Sequence, residues 1–231
     1  MKNCQMPKIT FKVYPRNKAP EWLLKKKDKL EKKWHKNSFG KRFIRRIMKA
    51  CNLSFPSDIV VKGINVIISK YSTKKYGDLV GSIAPTEPTS ISLYARKKDT
   101  QRTLLSMLCH ELIHSLIWSN YYLDNRRRPI SFFADVFADE LITTLLEEAI
   151  VKSKIRKINF TRALDYACSE TYLKMKNLNR TKDYEKVLKE LETFFTDSRR
   201  LIRQGSDALK ERERVLRDMM SPIPLTLDEA T

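Results

Sequence analysis

Glycine is scarce in this chain, with five in 231 residues. No glycine-rich loop of the kind that cradles phosphates is present, which leaves nucleotide hydrolysis unsupported. Cysteine is scarce too: Cys4, Cys51, Cys109 and Cys168 show no C-x-x-C spacing, so neither a cysteine-built zinc site nor a disulfide framework is expected. Long apolar runs are absent, and the first residues (MKNCQMPKITFKVYPRNK) lack an apolar core followed by small residues. A membrane span and a secretory signal are therefore not expected, and a reducing, cytoplasmic compartment fits. Acids are nearly missing from residues 1–50, where 17 Lys and Arg face only Glu21, Asp28 and Glu31.

That imbalance carries +14 of the formal net charge of +19, so the basicity is local. In EWLLKKKDKLEKKWHKNSFGKRFIRRIMKA, residues Trp22, Leu23, Leu30, Trp34, Phe43, Ile44 and Ile47 are spaced among the cations as on amphipathic helices, with a break near Asn37 to Gly40. A basic outer face of this kind attracts polyanions. Nucleic acid is thus an expected partner of the 22–49 segment, with Lys25 to Lys33 the residues to substitute. A solvated charged surface is the plainer reading of the same residues.

The chain then changes character. Residues 59–72 (IVVKGINVIISKYS) and 81–96 (GSIAPTEPTSISLYAR) read as strands, and Pro85 and Pro88 put the start of the second at a sheet edge or in a loop. From Thr100 to Trp118 the period becomes helical, with Asp99 and Thr100 suited to cap it. A turn around Asp124 to Pro129 leads to a second helix over about 130–151. Further helices are expected over 160–178, 182–203 and 206–220, before a loose acidic tail.

The segment LLSMLCHELIHSLIW (104–118) is oily except at His110, Glu111 and His114. Histidines four apart on a helix project from one face about a turn apart, as two imidazoles must to share one zinc ion. Glu111 lies one step round the helix, within reach of a water on that metal without being a ligand. With only three histidines in the chain, a chance HExxH is expected on the order of a few times per thousand such sequences. Burying these groups without partners would be costly. Cys109, about 100° round from His110, reads as a small core residue.

The order strand, edge strand, HExxH helix, turn, second helix resembles the zincin metallopeptidases over roughly residues 59–151, and in particular small gluzincin-like proteins of phage and bacterial type. The resemblance implies Zn²⁺ as cofactor, Glu111 as general base, and peptide aligned by strand addition along Ile83 to Leu93. There is a weaker similarity to SprT-like proteases, which have a third histidine downstream of the motif where this chain has none. His35 is the only other histidine and has no supporting pattern.

A third ligand is then sought on the second helix, SFFADVFADELITTLLEEAI. Projected at 100° per residue, its apolar side centres near Leu145, Ala138, Ala149 and Ile142, with Asp135 at the border and Glu140 and Glu147 nearly opposite. The stretch DVFAD resembles the ExxxD pattern of gluzincins. This implies Asp135 as zinc ligand and Asp139 as a residue orienting a histidine, while Asp139 and Glu140 stay open as ligands. Tyr121 and Tyr122 read as packing residues, with transition-state stabilisation as the alternative.

The expected architecture is therefore α+β. A small zincin-like core over 56–152 follows a basic helical extension at 1–55 and precedes a helical region at 153–220 and a flexible tail at 221–231. The expected activity is that of an intracellular zinc-dependent peptidase with His110, His114 and Asp135 as metal ligands and Glu111 as general base. The alternatives are a nucleic-acid-binding protein with a structural or decayed zinc site, and a helical assembly protein. Nothing in the sequence determines the oligomeric state.

Overall fold

The first strand lies where charge dominates the sequence. In ITFKVY the apolar positions alternate with polar ones, the period of a half-buried strand, and Ile9–Tyr14 forms β1. The computed structural model describes residues 5–72, 81–84, 87–124 and 133–151, together with scattered positions between 197 and 214. After β1 come α1 (Glu21–His35), α2 (Phe39–Cys51), α3 (Ser57–Lys62), β2 (Ile64–Lys70), β3 (Gly81–Ala84), β4 (Glu87–Ala95), α4 (Gln101–Asp124) and α5 (Phe133–Val151). The chain is thus of mixed α+β class. It divides into two compact units, Met1–Arg126 and Arg127–Thr231. None of the described helices is long and apolar enough to cross a membrane.

In the first unit, four strands make one sheet in the order β1-β2-β4-β3. β1, β2 and β4 run parallel, and β3 is antiparallel to β4 at the edge. The register aligns Phe11 with Val66, Val66 with Ile91, and Ile91 with Ile83. Ile9, Phe11, Ile64, Val66, Ile68, Ile91, Leu93 and Ala95 are consequently on one face, and all are buried. Each of these side chains other than Ala95 contributes about 1.5–3 kcal/mol relative to exposure. Helix α1 lies against β1 and β2, and α4 against β4 and β3. The opposite face carries half-buried polar residues: Thr10 Oγ1 donates to Asn65 Oδ1 at 2.8 Å, and Ser82 and Tyr94 share a hydrogen bond of 2.8 Å.

Both basic helices form as their patterning requires. α1 buries Leu23, Leu30 and Trp34, with Glu21 in its first turn and Lys32, Lys33 and His35 in its last, the charge order that suits the helix dipole. The break falls where expected, at Asn37 and Ser38, which take left-handed φ values of 49° and 56°. Trp34 then meets Phe11, Phe39 and Phe43 edge-on at 5.7, 6.4 and 5.8 Å. Gly40 lets the corner close, because a Cβ there would lie 2.4 Å from the Trp34 ring. The helices of the 1–55 segment thus share an aromatic cluster with β1, and β1 is part of the sheet.

Three readings need correction. Residues 59–62 are helical, not extended: Pro56 opens α3, Asp58 sits in its first turn and Gly63 ends it, so the caps override the β-branched run. The stretch 81–96 is not one strand but the hairpin β3–β4, with a register irregularity between Ile83 and Ala84. Ile83 to Leu93 is therefore not one edge. Ile91 and Leu93 belong to β4, flanked by β2 and β3, so among the described residues β3 is the edge strand at that end of the sheet.

In the second unit, α5 buries Leu141, Ile142, Leu145, Leu146 and Ile150, and also Asp139, Thr143 and Glu147. The projected polar side is thus partly wrong, because Glu147 is inside. Asp139 pairs with Arg212 at 3.6 Å, and Glu211 pairs with Arg214 at 2.7 Å; Asp139, Arg212 and Glu211 are buried. Residues 210–214 are helical, within the expected 206–220 helix. The expected helices over 160–178 and 182–203, apart from isolated positions of the latter, and the 221–231 tail lie outside the described residues.

Candidate metal centre

Helix α4 is held at both ends, which fixes which way its histidines face. At its start the Thr100 side chain caps it, accepting the Thr103 N–H at 3.1 Å, as expected of that residue. Asp99 Oδ2 accepts the Arg96 N–H at 2.6 Å, while its carbonyl accepts from the Lys26 ammonium. Gln101 Nε2 donates to the Lys29 carbonyl at 2.8 Å. Further along, Ser115 Oγ donates to the Pro88 carbonyl of β4, and Asn120 Nδ2 donates to the Ser54 carbonyl at 3.0 Å. Leu104, Leu108, Leu112, Ile113, Leu116 and Ile117 are buried around it, and Cys109 is a buried core thiol as expected.

On this fixed helix His110 and His114 converge. Their Nε2 atoms are 3.0 Å apart and their rings meet edge-on with centroids at 4.7 Å. His114 is buried and packs on Trp118, ring centroids 4.9 Å apart, which holds its orientation; His110 is half-buried. With a proton on one Nε2 the two rings share a hydrogen bond. With a proton on neither, two lone pairs point at each other, an arrangement that a cation between them would relieve. Two nitrogens at the usual zinc distance and a tetrahedral angle would be about 3.3 Å apart. The observed pair needs to open only by a few tenths of an ångström, which small ring rotations supply. The spacing of these two donors is therefore compatible with a shared zinc ion.

Glu111 projects to the side, toward the sheet. It is buried, and a Cβ built on Gly81 would lie 2.4 Å from its Oε1, 3.0 Å from Cδ and 3.1 Å from Cγ. Register explains the meeting. Gly81 is opposite Leu93, on the face of the sheet that packs on α4. The first residue of the edge strand thus leaves the space that the carboxylate fills. Gly81 is the site residue that sequence reasoning passed over as strand punctuation; the signal available was one of only five glycines, at the start of a strand shortly before the motif.

Among the described residues, no group of three or more His, Cys, Asp or Glu is placed to hold a metal ion. The side chains of Asp135, Glu140, Tyr121 and Tyr122 lie outside the described residues. Asp139 belongs to the second unit, where it is ion-paired with Arg212. His35 is exposed in the last turn of α1. No protein-family model matches the chain, and no curated protein or solved structure matches it either.

Proposed function

We propose that this chain is a zinc-dependent peptidase of the zincin kind, with His110 and His114 as metal ligands and Glu111 as general base. The observation that carries the reading is an imidazole pair with its Nε2 atoms 3.0 Å apart, together with the buried carboxylate of the residue next to His110, which packs against the edge strand at Gly81. A short mixed sheet with an edge strand beside the motif helix is also the plan that the zincin resemblance implies. The third donor proposed from the sequence is Asp135, with Asp139 and Glu140 as alternatives.

A zinc ion held by these residues supplies Lewis acidity and makes water a competent nucleophile near neutral pH. The protein's own part follows from placement. Glu111 takes one proton from the attacking water as its oxygen bonds to the scissile carbonyl carbon, and gives that proton to the amine as the C–N bond breaks. Trp118 holds the His114 ring, and the buried surroundings of Glu111 keep competing water away. The outer side of β3 offers backbone groups to an extended peptide.

The test is metal content by mass spectrometry on untagged protein, for the wild type, His114→Ala and Asp135→Ala, followed by a peptidase assay with Glu111→Gln as control. About one zinc per chain, lost in His114→Ala, with activity abolished in Glu111→Gln at full zinc content, is the expected result. Loss of zinc in Asp135→Ala as well would assign the third ligand. A folded wild type that takes up no zinc when it is added back would overturn the reading.

A further inference from the structure

The peptidase reading uses the basic helices only to hold the start of α4, through Lys26 and Lys29 of α1, and their charges are not equivalent. In α1 the acids Glu21, Asp28 and Glu31 offset two of the six lysines: Lys25 pairs with Glu21 at 2.6 Å, and Lys27 with Glu31 at 2.6 Å and with Asp28 at 3.3 Å. From Lys32 to Ser57 there is no acid at all. α2 lies wholly within that stretch and exposes Lys41, Arg42, Arg45, Arg46 and Lys49. Among the described residues no acid pairs with any of these five; Arg42 donates to the Asn37 carbonyl, which uses only part of its guanidinium.

Helical geometry gathers the five cations. At 100° per residue they cover an arc of about 140°, and the buried Gly40, Phe43, Ile44, Ile47, Met48 and Cys51 take the opposite arc. Along the axis the cations span about 12 Å. Lys41, Arg45 and Lys49 stand at i, i+4 spacing, as do Arg42 and Arg46, and like charges so placed repel by roughly 0.2–0.5 kcal/mol per pair. Folding therefore holds together a set of exposed like charges whose mutual repulsion a bound polyanion would relieve.

We propose that the outer face of α2 binds the phosphate backbone of a nucleic acid. The chemistry favours this occupant over an anionic membrane. An interfacial helix inserts its apolar side into the bilayer, whereas the apolar side of α2 is already in the core, and the exposed large hydrophobic residues among those described, Tyr14, Leu24 and Val61, lie outside α2. Three of the five cations are arginines, whose planar forks grip phosphate oxygens in pairs. Phosphate contacts of this kind fix position on the nucleic acid without carrying sequence information, so the recognition proposed is of backbone. The surface is thus centred on α2 rather than on Lys25 to Lys33.

Fluorescence anisotropy with labelled duplex DNA, duplex RNA and single-stranded DNA, about 20 nucleotides per strand, tests the proposal, since each phosphate neutralised adds about 0.9 to the slope of log K against log salt on B-DNA. The expected wild-type slope on duplex DNA is about −3 to −4.5, and Arg42→Gln/Arg45→Gln/Arg46→Gln reduces its magnitude by about 2–3. The corresponding triple Lys variant, and Lys25→Gln/Lys27→Gln, keep the slope within about 1 of wild type. The form of nucleic acid bound most tightly identifies the source of the phosphates. No binding to any of the three at about 50 mM salt overturns the proposal. So does a triple Gln variant that melts like wild type and keeps the wild-type slope, or binding confined to vesicles containing phosphatidylserine. None of these outcomes depends on zinc or on peptidase activity.

Discussion

Gly81→Ala is the sharpest probe of the site, because it adds one methyl group 2.4 Å from Glu111 Oε1, 3.0 Å from Cδ and 3.1 Å from Cγ. Ordinary contact begins near 3.4 Å, so the carboxylate oxygen must retreat by about 1 Å or the strand must move. A general base displaced by about that much costs on the order of 100-fold in rate, or about 2.7 kcal/mol of transition-state stabilisation. Overpacking a filled site costs stability as well, about 1–3 kcal/mol. His110 and His114, the proposed ligands, are untouched, so on the proposed function zinc content should equal that of wild type while kcat/KM falls by about two orders of magnitude. Thermal melting supplies a readout independent of activity: Glu111→Ala should recover most of the stability lost in Gly81→Ala, a coupling of about 0.5–3 kcal/mol in a double-mutant cycle. Additive melting shifts, or a fully active Gly81→Ala enzyme, would refute the placement of Glu111 against β3.

Three further outcomes follow from packing and charge. Gly40→Ala drives a Cβ to within 2.4 Å of the Trp34 ring and should destabilise the first unit by about 1–3 kcal/mol in denaturant titration, whereas Gly40→Ala combined with Trp34→Leu should melt no lower than Trp34→Leu alone. Arg212→Met removes a fully buried cation from beside Asp139 and should cost about 3–5 kcal/mol; adding Asp139→Leu should restore part of it. The Lys27 ammonium is held above its usual 10.5, chiefly by its hydrogen bond to Glu31, against the lowering effect of burial. A raised pKa gives stability that is complete below the unfolded value and is lost only as pH climbs through the folded one. Glu31→Gln should therefore cost about 0.3–0.5 kcal/mol at neutral pH, diminishing with salt, and the difference from wild type should vanish only above pH 10.5.

The motif helix was legible because its signals agree. Thr100 caps it, apolar residues surround it, and the i, i+4 histidines meet whatever the rest of the chain does. The break between the basic helices was legible for the same local reason, Asn37 and Ser38 being residues that tolerate positive φ. Strand β1 was not, although ITFKVY alternates plainly, because a short strand becomes visible only through its partner 55 residues away, Ile64 for Ile9. The run from Ile59 to Lys62 misled in the opposite way, since β-branched residues favour strands but Pro56 and Gly63 decide the backbone. Gly81 and Glu111 are invisible as a pair in sequence, because their meeting depends on the register of a hairpin and the rotation of a helix. Periodicity gives α5 a single apolar arc, whereas the burial of Thr143 and Glu147 shows a helix enclosed on more sides than one.

The connection from β1 to β2 runs through both basic helices, and this bears on how the protein can be dissected. Residues 1–55 are not a removable arm. Deleting them takes away one of the two parallel neighbours of β2 and leaves INVIISK as a bare, apolar strand border, the template on which chains pair with one another. A truncation meant to isolate the metal centre from the basic helices would thus yield aggregate, and its loss of activity would say nothing about nucleic acid. Point substitutions on the exposed face of α2 separate the two properties while keeping the sheet closed.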